Sequence, residues 1–329
     1  METTENLNEA GEVITPSEEA ENKKSKKRKG KKVDWQLYTM FIPGFILLLV
    51  FNYVPMGGLV LAFKDYTPVG GIWGSPWCIN PFQNFIDALT GQGFWRLVRN
   101  TVAIGGLKLV FSFPLPIFLA LLFNELKNGI FKKLVQTISY LPFFISWVII
   151  SGIAYMFLAT DYGYINIVLE KMGLEPVMWY TDPSKWWAIL VITHIWKNTG
   201  WGTITFLAGL AAINPDLYEA AAIDGAGKWK QTLHITVPGL MPIIGITFAL
   251  SAAKILQDDF DQIYALVGNN SELYPTAEVL GSWAYRVFRS GWNGYGVTTA
   301  VGLLQSICGL ALMWTANIIV KKSGNPGIW

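Results

Sequence analysis

Apolar positions along this chain gather into six long runs, separated by shorter stretches that carry most of the charge. A helix needs roughly 20 apolar residues to cross a hydrocarbon layer of about 30 Å. Windows within 35–63, 100–123, 134–160, 186–210, 242–256 and beyond, and 297–320 meet that need with few or no charges. They predict an all-α polytopic membrane protein of six transmembrane helices. Pro114, Pro116 and Pro142 fall inside these windows, where neighbouring helices can satisfy the backbone groups a proline frees. The fifth window is the shortest, because Lys254 interrupts it early.

The polar stretches set the orientation, because Lys and Arg near the ends of spans stay on the cytoplasmic side. Basic residues crowd 23–32 before the first window, and Lys127, Lys132 and Lys133 follow the second. Lys228 and Lys230 follow the fourth, and Lys321 and Lys322 follow the sixth. Both termini are therefore expected in the cytoplasm. The opposite loops carry Asp258, Asp259 and Asp261, with aromatic residues such as Trp77 that suit the headgroup level. Residues 1–34 are acidic, then strongly basic, with almost nothing to bury, and predict a disordered or membrane-surface cytoplasmic tail rather than a cleaved signal. The remaining organisation reads as a first transmembrane helix and external loop over 35–99, a core over 100–322 and a cytoplasmic C-terminal tail over 323–329.

Composition agrees with membrane burial: 52% of residues are hydrophobic and 15% charged, an imbalance an ordinary soluble domain does not need. Cys78 and Cys308 are too few and too far apart for a disulfide framework. His194 and His234 are the only histidines and belong to different regions, so no metal site and no catalytic constellation is expected. No G-x-x-x-x-G-K-[ST] is present, so the chain has no phosphate-binding loop of its own. No nucleic-acid partner is expected, and no cofactor bound directly.

One polar stretch is too structured to be a simple linker. Residues 218–242 read YEAAAIDGAGKWKQTLHITVPGLMP. Asn214 can cap a helix that has Pro215 at its first position and Asp216 in its first turn, predicting a short helix over 215–223. Asp224, Gly225, Ala226 and Gly227 supply a turn in which glycine can take positive φ. Residues 228–234 read as a second short helix, with Pro238 and Pro242 ending it before the fifth window. Helices of about two turns are not stable alone in water. The pair must pack either on the protein's own spans or in a groove on a partner, offering small Ala220, Ala221 and Gly225 and apolar Ile223, Trp229 and Leu233.

These residues carry a resemblance. Glu219, Ala220 and Ala221, then Asp224, Gly225 and Ala226, followed by Ile235, Val237 and Pro238, resemble the EAA loop of ABC importer permeases, with Val-Pro where Leu-Pro is usual. Within the sugar-import branch, 106–126 (GLKLVFSFPLPIFLALLFNEL), 260–266 (FDQIYAL), Tyr285 with Arg286, 299–306 (TAVGLLQS) and the final GIW at Trp329 are similar to LplB-type permeases of polysaccharide or aldouronate uptake. The resemblance implies a permease subunit in a bacterial plasma membrane, in which 214–242 is a coupling loop seated in a cytoplasmic ATPase subunit. It also implies ATP and Mg bound at that partner, two ATPase subunits, a second and different permease, an external solute-binding lipoprotein and an oligosaccharide substrate.

Charged groups inside spans tend to face a bundle interior or a water-filled path. His194, Lys197, Asn198 and Trp201 recur on one helical stripe, and such groups suit either a sugar path or contacts between helices. Lys254, Gln257, Asp258 and Asp261 would share a face if the fifth helix continued, which predicts a Lys254–Asp258 ion pair. Lys108 needs a partner or a cavity. An ion-gradient transporter is the alternative class, but the internal repeat with interrupted helices that it would show is not evident.

Overall fold

The computed structural model describes residues 35–127, 129–291 and 294–329, and helices dominate it. The expected tail over 1–34 lies outside the described residues. The chain divides into two units, Met1–Gly58 and Leu59–Trp329. The described part of the first is α1 (Trp35–Leu48), a π turn (Leu49–Tyr53) and a helical turn (Val54–Met56).

Among the described residues, four helical stretches are long and apolar enough to cross a membrane: Tyr38–Phe63, Phe94–Glu125 (α2), Lys228–Ala253 and Gly294–Lys322. The third window departs from its expected form. It consists of Ile130–Phe144 (α3) and Trp147–Leu158 (α4), bent by 99° at the break between them. Pro142 lies in the narrow 3-10 turn that closes α3, and Ser146 starts α4 by accepting the Ile149 N–H at 3.4 Å. Proline here therefore ends a helix instead of being absorbed by one. The fourth window is a single 26-residue helix, Trp186–Ala211 (α5), about 39 Å long at 1.5 Å per residue. It is long enough to cross, but His194, Lys197 and Asn198 leave it less apolar than the other four.

Proline explains a second departure. The π turns Leu49–Tyr53, Lys108–Ser112 and Thr232–Thr236 each end two residues before a proline, namely Pro55, Pro114 and Pro238. A proline ring crowds the carbonyl four residues back, and one widened turn relieves the crowding without breaking the helix. Pro238 and Pro242 thus do not end the second helix of the 214–242 segment. After α6 (Asp216–Ile223), α7 runs without interruption from Lys228 to Ala253, with Pro242 inside it. It stops at Ala253, short of the expected 256.

Short helices follow: α8 (Phe260–Leu266) and α9 (Leu280–Ser290), then the long α10 (Gly294–Lys322). α10 lies along α7, where a Cβ on Gly245 would fall 2.6 Å from Val320 and Ala249, Ala252 and Ala316 form a buried seam. Small residues let two helix backbones approach this closely. α5 packs on α2 and α7 through Ala120, Phe206, Leu210 and Leu240. Its other end enters a cluster centred on fully buried Trp186, Leu190, Ile263, Leu273 and Val279. This arrangement leaves the middles of α2, α5 and α7 facing a common space.

Candidate functional site

That space is a cavity of about 690 Å³. α2 contributes Thr101, Lys108, Ser112 and Pro116; α5 contributes His194, Asn198 and Trp201; α7 contributes Thr247 and Ser251. Lys254, Gln257, Asp258 and Asp259, from the link between α7 and α8, complete the wall. Six of the seven residues expected on a path therefore line one cavity: Lys108, His194, Asn198, Trp201, Lys254 and Asp258.

The charges here are tied together by residues the sequence reading did not select. Lys108 sits at the first position of the π turn in α2. Its Nζ donates to Gln262 Oε1 at 2.5 Å and lies 3.9 Å from Asp259 Oδ2. His194 Nδ1 is 3.5 Å from the same Asp259 oxygen and 3.3 Å from Asn198 Nδ2. Gln262, fully buried, donates through Nε2 to Leu190 O at 2.6 Å and Thr193 Oγ1 at 2.9 Å. Asp259 also caps α8 by accepting the Gln262 N–H at 3.4 Å. The D-x-x-Q spacing of Asp259 and Gln262 is a helix-start signature related to the capping box and could have found both. Lys108 is thus partnered within the chain.

Two expectations need correction. Lys254 and Asp258 form no ion pair, because α7 ends at Ala253 and the i, i+4 geometry is lost. Asp258 instead accepts the Gly281 N–H at 2.7 Å, in the first turn of α9, where a helix N-terminus favours a carboxylate. Lys254 lines the cavity with no ion-pair partner among the described residues. Lys197 does not line the cavity; its Nζ donates to Phe143 O at 2.7 Å and to Ile145 O, at the break between α3 and α4.

The second candidate region is the helical hairpin of α6 and the start of α7. Asn214 Oδ1 accepts the Asp216 N–H at 3.1 Å, as its position before Pro215 predicts. At the other end, Ala226 N–H donates to Ala221 O at 2.8 Å and Gly225 N–H to Ala222 O at 3.1 Å, while Gly225 has φ +75°. These two bonds and the left-handed glycine are a Schellman C-cap. Gln231 Nε2 donates to Ala226 O at 2.9 Å, and Tyr218 and Thr236 share a hydroxyl hydrogen bond at 3.0 Å. The hairpin is therefore braced by its own hydrogen bonds. Its large apolar groups point away from the chain: Ile223 is 87% exposed and Trp229 78%, with Leu233 and Leu217 also exposed. Glu219, Ala220, Ala221 and Asp224 are on this element too. Pro238 is in the first α turn after the π turn.

Comparison with known proteins identifies the family. Residues 112–322 match the family described as binding-protein-dependent transport system inner membrane component. Protein LplB of Bacillus subtilis (strain 168) is 37% identical over 308 residues, covering 91% of this chain and 95% of LplB. The polygalacturonan/rhamnogalacturonan transport system permease protein YteP of the same organism is 38% identical over 294 residues, covering 89% and 90%. Among solved structures, a chain of a bacterial alginate ABC transporter, in complex with an alginate pentasaccharide-bound periplasmic protein, aligns with TM-score 0.79 and 36% identity, over 90% of this chain and 98% of that one. The chain belongs to the binding-protein-dependent transport system inner membrane component family, as a multi-pass permease subunit of an ABC importer.

Proposed function

We propose that this permease forms one half of the path by which an oligosaccharide, delivered by an external binding protein, crosses the membrane at the expense of ATP hydrolysed elsewhere. In this reading the chain crosses six times, with the bent α3–α4 pair and α5 among the crossings and both termini in the cytoplasm. A second, different permease completes the path, two ATPase subunits dock on the hairpins, and ATP and Mg bind only there. One observation carries the mechanism: the uninterrupted helix α7 begins in the hairpin and ends at the cavity wall, with Thr247 and Ser251 lining that wall. A displacement of the hairpin by a moving ATPase is passed along about 25 rise steps of one continuous helix to the cavity.

The cavity chemistry suits a polyhydroxylated solute, with hydroxyls, an amide and an aromatic face in one wall. Relatives of this chain are named for polygalacturonan/rhamnogalacturonan and alginate. Uronic-acid oligosaccharides are accordingly the first substrates to test, with Lys254 as the cation free to meet a sugar carboxylate. Gentle purification from the native membrane should bring down an ATPase, a second permease and a binding lipoprotein. The reconstituted complex should then take up oligogalacturonate or alginate oligosaccharides only with ATP present. A lone chain that moves solute down an ion gradient would overturn this reading.

A further inference from the structure

Lys197 is the cation of α5 that the cavity does not use, and its setting is specific. The two carbonyls it binds, Phe143 O and Ile145 O, belong to the break between α3 and α4. A helix end leaves its last carbonyls without partners, and a hydrocarbon layer offers no water to replace them. A single ammonium, with three donors, can serve both. The same Nζ lies 5.5 Å from the Phe143 ring centroid and 5.4 Å from that of Trp147, so it touches both halves of the broken element. Methionine would fill similar space and leave both acceptors unmet. Three residues along α5, Gly200 approaches so closely that a Cβ there would sit 1.8 Å from Ser139 O, which sets α3 directly on α5.

One turn beyond Lys197, Trp201 stacks on Phe143 with ring centroids 4.5 Å apart and planes 4° apart, while Phe144 meets it at 5.5 Å and 86°. Trp201 also lines the cavity and remains 41% exposed. Phe143, which does not line the cavity, therefore backs the indole, and its carbonyl is bound by Lys197.

We propose that Lys197 is a positioning residue of the path. By binding both carbonyls of the α3–α4 break it fixes Phe143 against Trp201, and the supported indole is the wall on which a sugar ring rests. A pyranose presents a face of C–H groups that matches an indole, and an indole held on one side loses less freedom when the sugar arrives. The sugar half of this inference rests on the function proposed above. The mechanical half does not.

The test uses the whole transporter complex in proteoliposomes, with Cys78 and Cys308 replaced and spin labels on cysteines at Leu134 and Ile149, exposed positions on either half of the bend. Lys197→Met is expected to broaden and displace the label-to-label distance distribution, and Lys197→Arg, which retains the donors and charge, to keep it. A Lys197→Met distribution that overlays the parent would overturn the positioning role. If that variant fails to assemble, Lys197→Gln, with two donors and no charge, takes its place under the same criterion. Uptake of an oligogalacturonate and alginate-oligosaccharide ladder provides the second arm. Trp201→Ala should lower uptake roughly tenfold while leaving the distance distribution unchanged, the loss expected for one aromatic stacking contact. Lys197→Met should lower it to a similar extent, and the double variant no further, because the lysine acts through the indole. Losses that multiply would overturn the link. Absence of uptake with every probe in the parent complex would count against the proposed substrate, and the distance measurement would then decide the positioning role by itself.

Discussion

The cavity and the hairpin solve opposite problems. In the cavity, Lys108, His194, Asp259 and Gln262 lie in an apolar bundle and depend on one another, through contacts of 2.5 to 3.9 Å, to stay charged or hydrogen-bonded there. In the hairpin, the polar groups are turned inward to brace the backbone, and Ile223 and Trp229 are left outside with no described residue of this chain to cover them. A side chain in the first region matters to the fold because removing it leaves a largely buried partner without its hydrogen bond or counter-charge. A side chain in the second can be lost without strain to the chain, so its presence needs a reason outside the chain.

The sharpest way to break this comparison is Gln262→Leu. The substitution removes the acceptor 2.5 Å from the Lys108 ammonium and the donor to Leu190 O and Thr193. Losing a buried hydrogen bond to a charged group typically costs about 1.5 to 3 kcal/mol, and thermal unfolding of the purified protein in detergent should show a loss of that order. Adding Lys108→Met should recover part of it, since the ammonium that lost its acceptor is then gone, while Asp259 keeps its contact with His194. If Gln262→Leu were silent, the cavity network would not be the structural unit described here.

Trp229→Ala probes the other region and should separate two quantities that move together in the cavity. Stability should change by no more than about 0.5 kcal/mol, the usual range for an exposed site. ATPase association, measured by co-purification, should weaken by about 2 kcal/mol or more, as removal of an interfacial tryptophan anchor commonly does. Unaltered association would mean that the hairpin is not the docking element.

The difference between the two regions also explains what could be read from the residues alone. The hairpin was legible because its determinants are local: Asn214 before Pro215, the Asp-Gly-Ala-Gly turn and the EAA spacing all act within a few residues. The charged and amide part of the cavity lining was largely legible too, since such groups inside apolar windows have few places to go. Its wiring was not. Lys108 finds Gln262 at a separation of 154 residues, and Lys197 finds Phe143 across 54, pairings that no periodicity encodes. The prolines misled in both directions for one reason. Pro142 ends a helix and Pro238 does not, and the difference is the π turn at Thr232–Thr236 that widens the helix ahead of Pro238. Whether a helix breaks or widens depends on what packs around it.

Gly225→Ala is a smaller and cleaner probe of the hairpin. An added Cβ would meet nothing within 4 Å, so the whole effect comes from φ +75°. Holding an L-residue in that left-handed region costs about 1 to 2 kcal/mol. The turn should loosen by that amount, seen as faster hydrogen exchange at the Gly225 and Ala226 amides. Association with the ATPase should weaken less than for Trp229→Ala, because the anchors themselves remain. A bulky residue at the same position adds volume on a face open to a partner, and should reduce association further with no greater loss of stability.

The smallest structural effect is expected inside the cavity itself, where the comparison would otherwise forecast a large one. Lys254 lines the space, yet it has no ion-pair partner among the described residues, and the helix expected to pair it with Asp258 stops one residue before it. No described residue is stranded by its removal, so Lys254→Met should leave thermal stability within about 0.5 kcal/mol of the parent. It behaves structurally like the hairpin's exposed anchors although it sits beside the network, and by the same reasoning its use lies with something that enters from outside. Uptake separates the possibilities. Loss of this one cation should reduce transport of oligogalacturonate more than transport of a neutral oligosaccharide of equal length, because a charge-assisted hydrogen bond to a carboxylate is about twice as strong as one between neutral groups. Equal reduction for both would assign Lys254 to the general shape of the wall and count against its proposed role in meeting a sugar carboxylate.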